Sequence, residues 1–136
     1  MNREAFVKSF FEKFNEDEAL PLLTLEEFFS GNTEEDSIAP NQWGYGRPTL
    51  AEMLARFQEL ESRTDVAWVR VVLHDDTSED MGICGDCLLI CTSASIEEME
   101  QAADTDWLCS DGAIDYEEDE TPPIPKNHHL LAIVWD

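Results

Sequence analysis

A chain of 136 residues with 43% hydrophobic side chains, seven Phe and four Trp carries enough core-forming material to fold as one domain and is not a disordered polyanion. Its 31 acids against eight bases give a net charge of −23, which excludes binding nucleic acid through phosphates, where the opposite sign is needed. No run approaches the roughly 20 apolar residues of a membrane span, so no membrane partner is expected.

The chain opens with Phe6, Val7, Phe10, Phe11 and Phe14, interrupted by Lys8, Glu12 and Lys13. This reads as an amphipathic helix over residues 2–18, ended by Pro21, and it lacks the uncharged stretch of a signal peptide. A cytoplasmic location is therefore expected, with the four cysteines reduced. Residues 1–21 form this added helix, and residues 22–136 a single α+β domain.

Three capping boxes follow: Thr24-Leu-Glu-Glu27, Thr49-Leu-Ala-Glu52 and Ser95-Ile-Glu-Glu98. The first opens a short helix, stopped by Ser30-Gly31-Asn32. The second opens the cleanest amphipathic helix of the chain, through Leu50, Met53, Leu54, Phe57 and Leu60 to about Ser62. The third runs to about Ala103, with Ile96 and Met99 inward. Strands are expected at Val66–Leu73, Cys87–Thr92 and Leu130–Trp135, from β-branched or continuous apolar runs. Together these predict a small antiparallel or mixed sheet covered by helices. The acid run and three prolines of residues 115–126 predict a flexible loop.

Between Arg70 and Lys126 the chain has sixteen acids and no Lys or Arg. Half the molecule is close to a pure anion, which favours encounter with a basic protein partner and weakens that encounter in salt. The plainer reading of the same charge is solubility. Asp75, Asp76, Glu79, Asp80, Asp104 and Asp106 are the candidate partner-binding carboxylates. Trp43 and Tyr45, in the glycine-punctuated stretch Asn41–Pro48, are the candidate aromatic anchors.

Catalytic signatures are weak. Cys84-Gly-Asp-Cys87 has the spacing of a redox or zinc motif, but the pair precedes a strand rather than a helix N-terminus, and Asp86 between the thiols would raise their pKa values. A zinc site would need a second pair of ligands from Cys91, Cys109, His74, His128 or His129, and none of these has matching spacing. Cys87 and Cys91 read more simply as small buried residues of a strand. Residues 104–112 resemble a calcium loop but have Cys109 where the glycine is needed. His128 and His129 would point to opposite faces of a strand. No cofactor and no catalytic residue is predicted. A metal- or thiol-dependent enzyme using Cys84 and Cys87, or a regulatory or structural protein, are the alternatives.

The stretches "LTLEEFFSGN" (residues 23–32), "CLLICTSASIEEME" (87–100) and the closing "AIVWD" (132–136) resemble a family of small acidic bacterial cytoplasmic proteins of unassigned function. The resemblance covers about residues 22–136 and leaves the first 20 residues as an added helix. It implies no catalytic residues, and the family's strand before Thr-Ser-Ala lacks cysteines. Size and acidity are similar to immunity proteins that neutralise toxins. A non-catalytic acidic binding protein is expected, of the kind that inhibits a basic toxin.

Overall fold

The computed structural model describes residues 2–14, 20–40 and 46–135. In chain order the elements are α1 (Arg3–Lys13), α2 (Leu25–Phe29), α3 (Leu50–Glu61), β1 (Val66–Leu73), β2 (Gly85–Thr92), α4 (Ile96–Ala103), β3 (Gly112–Asp115) and β4 (His129–Val134). The strands form one sheet in the order β1-β2-β4-β3, with every neighbouring pair antiparallel. The fold is α+β, as the sequence predicts.

All three capping boxes are present. Thr24, Thr49 and Ser95 each accept the backbone N–H three residues on, and Glu27, Glu52 and Glu98 reach back to the cap residue's own N–H. α2 stops where expected, with Gly31 in the left-handed region at φ +69°. α1 is shorter than predicted. It ends at Lys13, and Phe14 is extended (φ −122°, ψ 129°), with its ring 5.3 Å from that of Phe10. The sequence beyond, Asn15-Glu-Asp-Glu18, offers no apolar side chain to hold a further turn on the core; those residues lie outside the described ones.

A shift of register between Val66 and Trp68 sets the faces of β1. It places Val66, Val69, Val71 and Leu73 in the main core and turns Trp68 to the other side. On the main side, Leu88, Ile90, Leu131 and Ile133 meet Phe28, Met53, Phe57 and Met99 from α2, α3 and α4, all at most 2% exposed. Only Phe10 of α1 is buried there. The opposite face carries a smaller cluster of Trp68, Leu89, Cys91 and Leu130, packed with Leu22, Val72 and Tyr116. Residues 116–125 leave β3 at one edge of the sheet, and Trp68 Nε1, on the other edge strand, donates to the Pro123 carbonyl (2.9 Å). The acidic, proline-rich segment thus crosses the face that the helices leave open.

β3 is absent from the sequence prediction. It has four residues, and only Ala113 reaches the main core from it.

Candidate functional site

The cysteine stretch is built by packing. Gly85, inside Cys84–Cys87, holds its Hα against Val71, Ile38 and Phe28, where a methyl group would sit 3.1–3.2 Å from each. Its N–H donates to Ser37 O (2.6 Å) and its carbonyl accepts from Ala39 N (2.8 Å), so the glycine joins the loop after α2 to the start of β2. Cys84, Cys87 and Cys91 are buried. Burial, with Asp86 and Glu118 adding to it, pushes the Cys87 thiol up to about 12, and burial raises Cys84 and Cys91 as well. At neutral pH these groups are held as thiols, the form that is a poor nucleophile and metal ligand. Among the described residues no three His, Cys, Asp or Glu side chains converge as a metal site would require.

The carboxylates at 75–80 sit on a pinned hairpin beyond the β1–β2 end of the sheet. The buried Thr77 hydroxyl accepts from Cys84 N (3.0 Å) and donates to Cys84 O (3.1 Å), while His74 N donates to the same carbonyl (2.7 Å). Ser78 and Gly82 exchange backbone hydrogen bonds across the tip. His74 Nδ1 accepts from Asp76 N (2.9 Å), which ties the ring to the start of the hairpin. Asp75, Asp76, Glu79 and Asp80 are all exposed on this frame. Asp80 also lines a hollow of about 330 Å³ with Glu34, Asp36, Arg3 and Cys84.

Asp104 and Asp106 lie at the C-terminal end of α4, on the opposite edge of the sheet from the 75–80 hairpin. With Glu97, Glu100, Gln101 and Thr105 they line a cleft of about 530 Å³. Glu97, Glu100 and Asp104 recur at three- and four-residue spacing, which is what gathers them on one side; that spacing is the signal by which the sequence could have added Glu97 and Glu100 to the candidates. Asp104 is itself the C-cap, in the left-handed region at φ 58°, and the last turn holds no basic residue. The Asp104 carboxylate faces the negative end of the helix dipole, which disfavours it by about 0.3–1 kcal/mol, whereas Glu97 lies in the first turn. A cation brought by another molecule would relieve that repulsion.

Among the described residues no arginine or lysine forms an ion pair with an acid of the hairpin or of the α4 cleft, although Arg3 and Lys8 line a hollow with Glu79. Arg3 Nη1 donates to the Glu27 carbonyl (2.6 Å) and its guanidinium lies 5.4 Å from the Phe6 ring. Arg47 donates to the carbonyls of Ala39 and Glu35 (3.3 Å each). Arg56 Nη1 donates to Ala103 O (3.0 Å), its guanidinium lies 4.6 Å from the Trp107 ring, and it approaches Glu59 only to 3.5 Å. Arg70 donates to Val69 O and lies near the Trp68 ring. Arg63 is the exception: it grips Asp65 with two bonds of 2.9 Å and holds that carboxyl below its usual range. Burial draws Arg3 and Arg47 below the ordinary guanidinium value, as befits struts set into the fold. Four of the five arginines therefore donate to backbone carbonyls.

Of the residues proposed from the sequence, the structure brings Asp104 and Asp106 into one cleft and Asp75, Asp76, Glu79 and Asp80 onto one hairpin; no contact joins the two groups. Trp43 and Tyr45 lie outside the described residues. No described helix is long and apolar enough to cross a membrane.

Fold and surface together define a small acidic α+β protein with helices on one face of an antiparallel sheet. The chain belongs to the uncharacterized protein YfbO family, whose model matches residues 1–133. The match takes in α1, which the resemblance drawn from the sequence motifs left outside. No curated protein and no solved structure matches the chain.

Proposed function

We propose that the protein is a non-catalytic binding protein that uses its carboxylates to engage a basic protein, of the kind in which an immunity-type inhibitor covers the cationic cleft of a toxin. The observation that carries this reading is the use of the arginines. Four of the five donate to backbone carbonyls, Arg63 pairs with Asp65, and among the described residues none forms an ion pair with the acids of the 75–80 hairpin or the α4 cleft. Asp75, Asp76, Glu79 and Asp80 supply long-range steering from a rigid frame, while Asp104 and Asp106, with Glu97 and Glu100, offer a concave site for a Lys or Arg side chain. Asp104 accepts from Trp107 N (3.3 Å) and Glu100 from Ala113 N (2.9 Å), each through one carboxylate oxygen, which leaves their charge available to a cation in the cleft.

The test is binding of a purified basic partner to amide variants. Neutralising a carboxylate that is desolvated in the complex lowers affinity by roughly 2–5 kcal/mol, and neutralising a rim carboxylate mainly slows association. Affinity and association rate unchanged by neutralising both the hairpin and the α4 cleft would refute the reading.

A further inference from the structure

β3 is the last strand of the sheet on its side, and no strand lies beyond it among the described residues. Tyr116 N donates to Leu130 O (3.2 Å), which fixes the phase of the β3–β4 ladder. Residues 112, 114 and 116 face β4, so the peptide groups of Ala113 and Asp115 point outward. The Ala113 N–H is met there by Glu100 Oε2 (2.9 Å), a carboxylate from the wall of the α4 cleft. The Ala113 carbonyl and both peptide groups of Asp115 complete an outward row of the kind that templates strand addition. Ile114, on the face away from the helices, is 47% exposed beside that row.

Resting on the proposed basic partner, we propose that the outer edge of β3 is a strand-addition site for an extended, lysine- or arginine-bearing segment of another protein. A strand laid along this edge places alternate side chains on the helix side of the sheet. There Glu97, Glu100, Asp104 and Asp106 surround the cleft that Glu100 shares with the edge. The incoming backbone takes over the Ala113 and Asp115 groups, and Glu100, released from Ala113, pairs with an incoming cation. A second copy of this chain does not fit: pairing β3 with β3 would bring Asp115 and the acids of residues 117–120 against their own counterparts, between molecules of charge −23.

The probe is the acetylated, amidated peptide Lys-Val-Lys-Val-Lys-Val, compared at low salt with the same sequence N-methylated at every residue's backbone amide, which has the same charge but has no such N–H to give to the ladder. The unmethylated peptide is expected to bind at least about tenfold more tightly and to slow hydrogen exchange of the Asp115 amide in the unaltered protein. Asp115→Pro, which removes the outward N–H together with the Asp115 carboxylate, is expected to weaken binding about tenfold, and Asp115→Asn, which removes the charge and keeps the N–H, only about twofold. Equal binding of the two peptides, with Asp115 exchange unchanged, overturns strand addition and leaves the acidic-surface reading standing. Failure of both peptides to bind overturns both.

Discussion

Arg56 tests the idea that the arginines are struts rather than surface charge. Its Nη1 donates to the carbonyl of Ala103 in the last turn of α4, one of the acceptors a helix end leaves without an intrahelical partner. Its guanidinium is 4.6 Å from the Trp107 ring. Replacement by Met keeps most of the packing volume and removes both contacts. A hydrogen bond from a charged donor contributes about 1.5 kcal/mol at a partly buried site and the cation–π contact about 0.5–1 kcal/mol, so Arg56→Met should cost about 2 kcal/mol. The pair with Glu59, at 3.5 Å and with the Glu59 side chain 75% exposed, adds at most about 0.5 kcal/mol, and Glu59→Gln should cost no more than that. Arg56→Lys should fall between, at about 1 kcal/mol, because it keeps the charge and loses the planar fork. Urea unfolding reads these directly: with a slope near 2 kcal/mol/M, the Met variant should lose about 1 M in midpoint at unchanged slope. The loss should persist at high salt, since a short hydrogen bond is little screened. A Glu59→Gln cost equal to that of Arg56→Met, or an Arg56→Met cost below about 0.5 kcal/mol, would refute the strut argument.

Neutralising the C-cap of α4 should move stability and binding in opposite directions. Asp104→Asn removes a charge from the negative end of the helix and keeps a side chain suited to φ 58°, so it should stabilise by about 0.3–1 kcal/mol in thermal unfolding while weakening a basic ligand. Gly85→Ala should destabilise by about 1–3 kcal/mol through contacts with Val71, Ile38 and Phe28, which circular dichroism at increasing urea will show as a lower midpoint. Alkaline pH should also destabilise. The Cys87 thiol is raised from 9.0 to about 12, and Tyr116, Cys84 and Cys91 are raised too. In the unfolded chain these groups ionise first. The stability they contribute is whole below about pH 9 and is lost as pH rises towards 12, a slope that Cys87→Ala should reduce and that a pH series of unfolding curves will measure.

Much of the fold is legible in the sequence because its signals are local. A Thr or Ser followed three residues later by Glu satisfies two helix-end donors wherever it occurs, and Thr24, Thr49 and Ser95 each begin a helix for that reason alone. The β-branched run Val66–Leu73 is likewise self-contained. β3 is not: Gly112 and Ala113 have little strand preference, and the segment is a strand only because β4 lies beside it. The site is less legible than the fold. Asp75–Asp80 and Asp104–Asp106 stand out as charge, yet the grouping of Glu97 and Glu100 with the latter depends on helical spacing. That the arginines spend their donors on Glu27, Ala39, Ala103 and Val69 carbonyls follows only from tertiary structure. Cys84–Cys87 shows the converse: a spacing that suggests chemistry holds a glycine that three side chains press upon.

The most direct test of the acidic-surface account is capture from the host's own lysate by two tagged proteins, the unaltered chain and a variant with Asp75, Asp76, Glu79, Asp80, Asp104 and Asp106 changed to their amides, each at low and moderate salt. The account predicts one basic protein held near stoichiometrically by the unaltered chain, weakened by salt and lost from the variant. Retention of the same proteins by both, or of none by either, would contradict it.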